Sequence, residues 1–448
     1  IIIGSGMAGL TAGAYLAKAG HAVTVYEQFP TPGGVTATVR KDGFGWDIGP
    51  LLMDGFLPGD PGRQILEELG VSDKVTALHE DRGLVMREFS LKKPDAYQGP
   101  RWRVHELIRR FPEERDGLIA YYKFYDQIMR LFSIGRRLEY ASGLAALYWK
   151  LRLLLAFLPV KHMKDWSGQQ VMDHYFKSPE LQTFFLGIVA DFVTAPSEFP
   201  GLGVPSIHLE TAFDKRIPPQ PGLRGAEVGY SFIKDGCQSL VDAVLSALTA
   251  AGGKVRTSTV VKKILVENGK AVGVELADGT IDRSDVVLAS GAARDVFHNL
   301  IGKQHLPETW NEIIENNRLM ESVLMVQLGI DFDPAPYMPA SLCYYYHTND
   351  LETAVQRLRT GDYHEGKDGF LIYVPSQHSP SLAPAGKWAV TIYTVAPDTL
   401  AKGSWAADGE RLADLLVAEA EAYLPDLRKH TLTRLVLTPD DFRKRTHM

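Results

Sequence analysis

The first 27 residues constrain the fold more than any other stretch, because they alternate a strand, a glycine-rich turn, a helix and a second strand. Ile1–Ile3 leads into the turn GSGMAG, an Ala- and Leu-rich stretch follows to Lys18, and Ala22–Tyr26 predicts the second strand. Glycines in this order permit a tight turn, close backbone approach to a pyrophosphate and close helix–strand packing. The phosphates would lie at the helix N-terminus, where free N–H groups and the helix dipole favour negative charge. The pattern predicts a dinucleotide-binding βαβ unit.

An acid ends the second strand. Glu27 follows Gly9 by 18 residues, where a carboxylate accepts hydrogen bonds from the ribose hydroxyls. An acid at this position repels a 2′-phosphate and therefore disfavours NADP. A glycine motif alone is weak evidence, but here the strand, the helix and the acid agree.

Five residues separate the acid from a Gly-Gly pair. Gly33 and Gly34 follow Pro32, and their lack of a Cβ would let the backbone approach a second part of a long cofactor. A Pro-Gly surface turn without cofactor contact is the alternative interpretation.

Five segments carry a resemblance to a known family: GSGMAGLTAGAYLAKAGHAVTVYEQ at 4–28, PGG at 32–34, GFGWDIGP at 43–50, FPEERDGL at 111–118 and FIKDGCQSLVDAV at 232–244. On these segments the chain resembles the FAD-dependent oxidoreductases of the phytoene desaturase, carotenoid isomerase and retinol saturase group. The resemblance implies FAD as cofactor, backbone contact of Val261 with adenine, and a position of Gly291 near the pyrophosphate. The predicted cofactor-binding residues are Gly4, Gly6, Met7, Ala8, Gly9, Glu27, Gln28, Gly33, Gly34, Val261 and Gly291.

The expected fold class is α/β: a discontinuous Rossmann-type FAD-binding domain and a substrate domain with a second sheet and a helical, membrane-facing subdomain. The predicted parts are 1–105 (first part of the FAD-binding domain), 106–224 (helical subdomain), 225–300 (returning part of the FAD-binding domain) and 301–448 (sheet and helix of the substrate domain). The resemblance implies a last flavin segment that would begin after Thr438–Phe442, and we expect this segment to be missing here, either because the sequence is truncated or because the protein lacks it.

One stretch of the helical part has an unusual composition. Ser142–Leu158 (SGLAALYWKLRLLLAFL) is short for a transmembrane helix and has Lys150 and Arg152 in its middle. Aromatic residues and basic flanks favour a helix that lies in a membrane interface. The alternatives are a helix buried in the subdomain and a helix covered by a partner subunit, since its apolar positions surround most of the helix.

The strands expected after residue 316 include Ser341–His347, which contains three consecutive tyrosines. Alternation places Cys343, Tyr345 and His347 on one face and the other two tyrosines, Tyr344 and Tyr346, on the opposite face. One face could line an apolar substrate tunnel, or both could serve sheet packing.

Composition excludes several kinds of site. A formal charge of −6 argues against nucleic acid as a partner. Cys237 and Cys343 are the only cysteines, which excludes a disulfide framework and a cysteine zinc site and suits a reducing compartment. The thirteen histidines show no metal-ligand spacing. We therefore expect a cytoplasmic protein that can associate peripherally with a membrane.

Residue 1 already lies in a strand, so we expect a natural N-terminus further upstream.

The resemblance implies desaturation, saturation or isomerisation of a lipophilic polyene or isoprenoid by hydride transfer to or from flavin. No residue is predicted as the catalytic acid or base; Asp47 lies in a fold motif and is a weak candidate. A flavin amine oxidase on the same fold is one alternative. The others are a lipid-binding protein without flavin, like the Rab GDP-dissociation inhibitors, and a subunit that docks through Ser142–Leu158. The sequence leaves the oligomeric state open.

Overall fold

The glycine-rich turn joins the first two strands of a parallel sheet. A computed structural model describes residues 1–190, 193–218, 229–317 and 319–447. The sheet has four strands, in the spatial order Leu288–Ala289, Ile2–Ile3, Thr24–Tyr26 and Lys254–Arg256. Strands from both ends of the predicted FAD-binding domain thus pair side by side, as the discontinuous Rossmann-type prediction requires.

Two helices cover one face of this sheet. Met7–Lys18 packs against Gln238–Ala250, and their apolar sides share one core with the first two strands. Gly13 makes the close packing possible, because a Cβ there would lie 3.2 Å from the Ile2 side chain. The N-terminal part and the returning part of the chain therefore share one apolar core.

Smaller antiparallel sheets accompany the parallel sheet. Val261–Glu267 and Lys270–Leu276 form a hairpin whose turn residues Asn268 and Gly269 both have positive φ, at 51° and 73°, as a tight hairpin turn requires. The remaining strands of these sheets are Ile281–Arg283 on the hairpin, the pair Thr38–Lys41 with Phe44–Asp47, and the trio Met53–Asp54, Tyr230–Ile233 and Ala77–His79.

A mixed six-stranded sheet forms the second large layer. Its spatial order is Thr431–Leu437, Ser322–Ile330, Trp388–Ala396, Gly369–Tyr373, Leu342–Tyr346 and Arg82–Met86. All neighbours are antiparallel except the last pair, which is parallel. The strand predicted at Ser341–His347 is confirmed to within one residue at each end.

Most of residues 106–200 form helices, as their helical periodicity predicts. The longest is Arg115–Glu139, which carries a continuous buried row of aromatic and aliphatic side chains. The other helices are Pro61–Leu69, Trp102–Arg110, Gly143–Phe157, Gly168–Tyr175, Pro179–Ala190, Val204–Ile207, Glu210–Phe213, Glu308–Asn316, Leu351–Arg359, Trp405–Ala420, Pro439–Thr446 and the π-helical Asp295–Gly302. The predicted division into four parts stays a prediction, and its boundary at 224/225 lies outside the described residues.

The helix predicted at Ser142–Leu158 spans Gly143–Phe157 and presents its leucines to solvent. Leu144 is 86% exposed and Leu151 is 55% exposed. A buried helix is therefore the wrong interpretation for this chain taken by itself. Helical turns continue to Met163, and in the described part of the chain Gly143–Met163 is the one helix long and apolar enough to cross a membrane by length and composition.

Candidate functional site

The glycine turn is shaped by the absence of side chains. The Gly4 N–H donates to the Tyr26 carbonyl oxygen at 2.8 Å, which ties the turn to the second strand. A Cβ on Gly9 would collide with the Gly4 carbonyl oxygen, whereas a Cβ on Gly6 would meet no atom within 4 Å. The space above Gly6, at the N-terminus of Met7–Lys18, is therefore open and suits a pyrophosphate, with the N–H groups of Met7, Ala8 and Gly9 beside it.

Glu27 closes onto the same turn. Its Oε2 accepts hydrogen bonds from the Ser5 N–H at 2.8 Å and the Ser5 hydroxyl at 2.6 Å, and its Oε1 accepts one from the Phe29 N–H at 2.9 Å. The side chain is buried. These three donors fix the carboxylate beside the glycine turn, where a ribose is expected.

The Gly33-Gly34 turn lies against the first turn. The Gly33 N–H donates to the Ser5 carbonyl oxygen at 3.0 Å, and both glycines have positive φ, at 124° and 59°. A Cβ on Gly34 would lie 3.3 Å from the Gly6 Cα. The structure thus brings the Gly33-Gly34 turn against the glycine turn that contains Gly6, as a cofactor that contacts both turns requires.

The returning segment reaches the turn through Ser290. The Ser290 hydroxyl donates to the carbonyl oxygens of Ile3 and Gly4, at 3.1 Å each, so the adjacent Gly291 lies beside the glycine turn. Val261 begins a hairpin strand, and the nearby Thr259 N–H donates to the Glu27 carbonyl oxygen at 2.8 Å. Both predicted residues therefore lie at the edge of the same site.

The last helix contributes contacts that sequence reasoning missed. Arg445 Nε donates to the Gly34 carbonyl oxygen at 2.8 Å, and its guanidinium carbon lies 4.8 Å from the centre of the Phe29 ring. Burial lowers the pKa of Arg445. Gln28 Oε1 lies 2.7 Å from Nε2 of His447. The basic run that ends the chain was the available signal, but only the fold brings it to the Gly-Gly turn.

Asp47 has a structural role. Its Oδ1 accepts hydrogen bonds from the Thr38 hydroxyl at 2.6 Å and the Cys237 N–H at 2.8 Å. Burial raises the pKa of this carboxyl group. The contacts tie the strand Phe44–Asp47 to the beginning of the helix Gln238–Ala250, so the geometry gives this residue no part in the cavity described next.

An apolar cavity of about 440 Å³ adjoins the cofactor loops. Val35 follows the Gly33-Gly34 turn directly, and the cavity begins there and extends to the six-stranded sheet. Tyr344 lines it, whereas Cys343 and Tyr345 pack into the core on the opposite face of their strand, as alternation predicted. The lining residues are Val35, Ile48, Gly49, Pro50, Leu51, Leu52, Arg82, Ile188, Ile207, Tyr230, Val323, Met325, Leu342, Tyr344, Leu371, Tyr393 and Phe442.

The sequence matches the model of one protein family over residues 7–429, described as flavin containing amine oxidoreductase. The chain belongs to this family. The match begins directly after Gly6, and it covers Glu27, the Gly33-Gly34 turn, the returning segment and every named lining residue of the cavity except Phe442. The flavin amine oxidoreductase family and the site geometry agree on the cofactor, which is FAD, and on the class of enzyme, which is an FAD-dependent oxidoreductase.

Three relatives show which members of the flavin amine oxidoreductase family the chain is similar to. Prolycopene isomerase of Daucus carota is 24% identical over 99% of this chain and 69% of its own length. The 4,4′-diapophytoene desaturase of a Methylomonas species is 25% identical over 100% of this chain and 83% of its length. The all-trans-retinol 13,14-reductase of Macaca fascicularis is 27% identical over 80% of this chain and 58% of its length. The resemblance seen in the sequence is therefore confirmed.

Solved structures support the fold. An oxidoreductase from Methanosarcina mazei has a TM-score of 0.58 at 20% identity, covering 97% of this chain and 86% of that chain. A Rab GDI from Plasmodium falciparum has a TM-score of 0.54 at 11% identity, covering 97% and 87%. At these identities the likeness shows the fold alone. Among the described residues, no group of three His, Cys, Asp or Glu side chains could hold a metal ion.

Proposed function

We propose that this enzyme desaturates, saturates or isomerises a lipophilic polyene or isoprenoid lipid. The observation that carries the proposal is the apolar cavity, which begins beside the Gly33-Gly34 turn and is lined mainly by aliphatic side chains. Burial of a hydrocarbon against such walls supplies most of the binding free energy, at roughly 25 cal/mol per Å² of apolar surface. The relatives named for carotenoid and retinoid reactions support the same substrate class.

The roles of the chain's own residues follow from the geometry. The glycine turn and Glu27 would hold the pyrophosphate and ribose of FAD, which when bound would supply a group that accepts or returns a hydride. The aliphatic walls exclude water and orient the chain of the lipid, so that reacting carbons are held at a fixed distance. Arg82 and the tyrosines are the polar groups of the lining.

An amine substrate fits this cavity less well. The one charged residue among the described lining residues is Arg82, which is already paired with Glu80, and no carboxylate lines the described part of the cavity to pair with an ammonium group. A flavin-free lipid carrier is disfavoured because FAD is the cofactor of the chain's family. The lipid enzyme is therefore the better interpretation of this site.

The substrate's chemistry also suggests where the enzyme works. We propose that Gly143–Met163 lies on a membrane surface, with its exposed leucines in the lipid and Lys150, Arg152, Lys161 and Lys164 at the headgroups. An apolar groove of about 520 Å³ separates this helix from Arg115–Glu139. The two buried free cysteines suit a cytoplasmic location, which we propose together with the peripheral membrane contact.

Product analysis tests the proposed function. The full-length holoprotein would be incubated with polyene hydrocarbons, retinoids and other isoprenoids, beside a panel of primary amines, and the products identified by mass and chromatography. Loss of a hydrogen pair indicates desaturation, gain of a pair indicates saturation, and unchanged mass with altered double-bond geometry indicates isomerisation. Turnover of amines with no turnover of lipids would contradict the proposal.

A further inference from the structure

Arg82 is the one charged residue among the described residues that line the cavity. Its side chain is almost completely buried, and its guanidinium carbon lies 5.1 Å from the centre of the Tyr230 ring, which lines the same cavity. Tyr344 belongs to the same lining. A buried cation at a hydrocarbon site needs an explanation, because burial of a charge costs free energy.

Hydrogen bonds within the protein use some of the N–H groups of the Arg82 guanidinium. Nε donates to Glu80 Oε2 at 2.9 Å, Nη2 donates to the same oxygen, and Nη1 donates to the Ile207 carbonyl oxygen at 2.9 Å. A guanidinium has five N–H groups, so these three bonds leave two without a partner among the described residues, one on each Nη nitrogen. Because Arg82 lines the cavity, these two N–H groups are the donors that a ligand there would use.

The charge of the pair limits which ligand these donors suit. Glu80 already neutralises Arg82, and the other carboxylate oxygen of Glu80 accepts a hydrogen bond from the Tyr230 N–H at 3.2 Å. A ligand carboxylate would add an uncompensated negative charge to an apolar cavity, which is unfavourable. A hydroxyl or carbonyl oxygen would accept the hydrogen bonds without adding charge.

We propose that Arg82 binds an uncharged oxygen at the polar end of a lipid whose apolar body fills the cavity. The substrate is thus an oxygen-bearing lipid, an alcohol or a carbonyl compound, rather than a pure hydrocarbon or a fatty-acid-like anion. This inference rests on the proposed function, because it names the polar group of that substrate. Arg82 acts as a specificity-determining residue.

Binding of three matched probes tests the inference. All-trans-retinol, the carboxylic acid with the same polyene and the hydrocarbon lacking the hydroxyl would be titrated into the full-length holoprotein. We expect the alcohol to bind about ten-fold more tightly than the hydrocarbon, since a hydrogen bond from a charged donor is worth that much, and more tightly than the acid. Equal binding of alcohol and hydrocarbon would overturn the role of Arg82 and leave the proposed function intact. Failure of all three to bind would overturn both.

A double variant tests whether Arg82 causes the preference for the alcohol. Arg82→Met with Glu80→Gln removes the donors without leaving an unpaired buried carboxylate. The control is Arg103→Met with Glu210→Gln, a second buried pair, joined at 2.8 Å, that does not line the cavity. We expect the alcohol preference to disappear in the first variant and persist in the control. A preference retained without Arg82 would overturn the inference. If the first variant does not fold, the order of the affinities of the three probes for the unaltered protein still tests the inference.

Discussion

The Glu27 carboxylate oxygen Oε2 lies 2.8 Å from the Ser5 amide nitrogen and 2.6 Å from the Ser5 hydroxyl. The acid at the end of the second strand thus holds the glycine turn at the end of the first. One side chain therefore shapes the cofactor turn, and it is the acid that the sequence predicts to bind the ribose.

Replacing this acid should weaken FAD binding. Glu27→Ala removes the acceptor for three donors, so we expect FAD affinity to fall about ten-fold or more and the free energy of unfolding to fall by about 1–3 kcal/mol. The flavin-to-protein absorbance ratio after dialysis measures retention. Glu67→Ala, an exposed acid that pairs with Arg63, is the control. Full retention by the Glu27 variant would contradict the ribose assignment.

Two glycines of the same turn should respond differently to alanine. Gly9→Ala collides with the Gly4 carbonyl oxygen, so we expect a loss of about 3 kcal/mol in stability and loss of FAD. Gly6→Ala meets no atom in the protein but fills the space expected for the pyrophosphate, so stability of the flavin-free protein should be unchanged while FAD affinity falls.

Urea unfolding of the flavin-free variants, together with FAD titration, separates the two effects. Gly135→Ala serves as control, because its Cβ would also meet nothing within 4 Å and it lies in a helix away from the glycine turn. Tight FAD binding by the Gly6 variant would show that the pyrophosphate lies elsewhere.

The buried His378 should make stability depend on pH. Burial lowers its pKa to about 4, and its ring contacts the Tyr373 hydroxyl at 2.6 Å and the Ser379 hydroxyl at 2.9 Å. Because the unfolded chain binds the proton near pH 6.5, the stability it contributes is present above that pH and is lost as pH falls towards 4. At pH 5 the loss is about 2 kcal/mol relative to pH 7.

Urea unfolding at pH 7 and pH 5 measures this loss. His378→Gln should reduce the pH dependence by about 2 kcal/mol. His364, which burial also brings to a pKa of about 4, should continue to contribute a similar dependence in that variant. An unchanged pH dependence in the His378 variant would contradict the assignment.

Liposome flotation tests the membrane contact. The full-length protein should float with vesicles that contain anionic lipid, and less so at high salt, because both leucines and basic residues contribute. Changing Leu144, Leu147 and Leu151 together to Glu should abolish flotation. Val286→Glu, at an equally exposed apolar residue outside this helix, should leave it unchanged. Exclusion from vesicles at every salt concentration would contradict the proposed contact.

The sequence predicted the fold well where a local pattern determines the structure. The periodic spacing of apolar residues predicts the helix to Lys18 and the strands after residue 316. Residues that favour turns predict the glycine turn. The family resemblance supplied the returning segment, because nothing local connects residues near 290 with Gly4. Ser290 makes that connection through a side-chain hydrogen bond.

The polar contacts of the site could not be predicted in the same way. Arg82 begins the strand Arg82–Met86 and Glu80 lies two residues before it, and no sequence motif surrounds either residue. Arg445 contacts Gly34, although 411 positions separate them in the sequence. Such contacts depend on how distant elements pack. The exposure of the leucine-rich helix likewise required the fold, since its composition fits a buried helix equally well.

The visible spectrum of the holoprotein under anaerobic conditions tests the central claim most directly. The purified full-length chain with bound FAD, in oxidised and in chemically reduced form, would be mixed with a polyene alcohol and, separately, with a primary amine. We expect the lipid to change the flavin spectrum, by redox change or by perturbation on binding beside the flavin, and we expect Leu371→Trp, which fills the cavity, to remove this change. A flavin that responds to the amine and ignores the lipid would contradict the account.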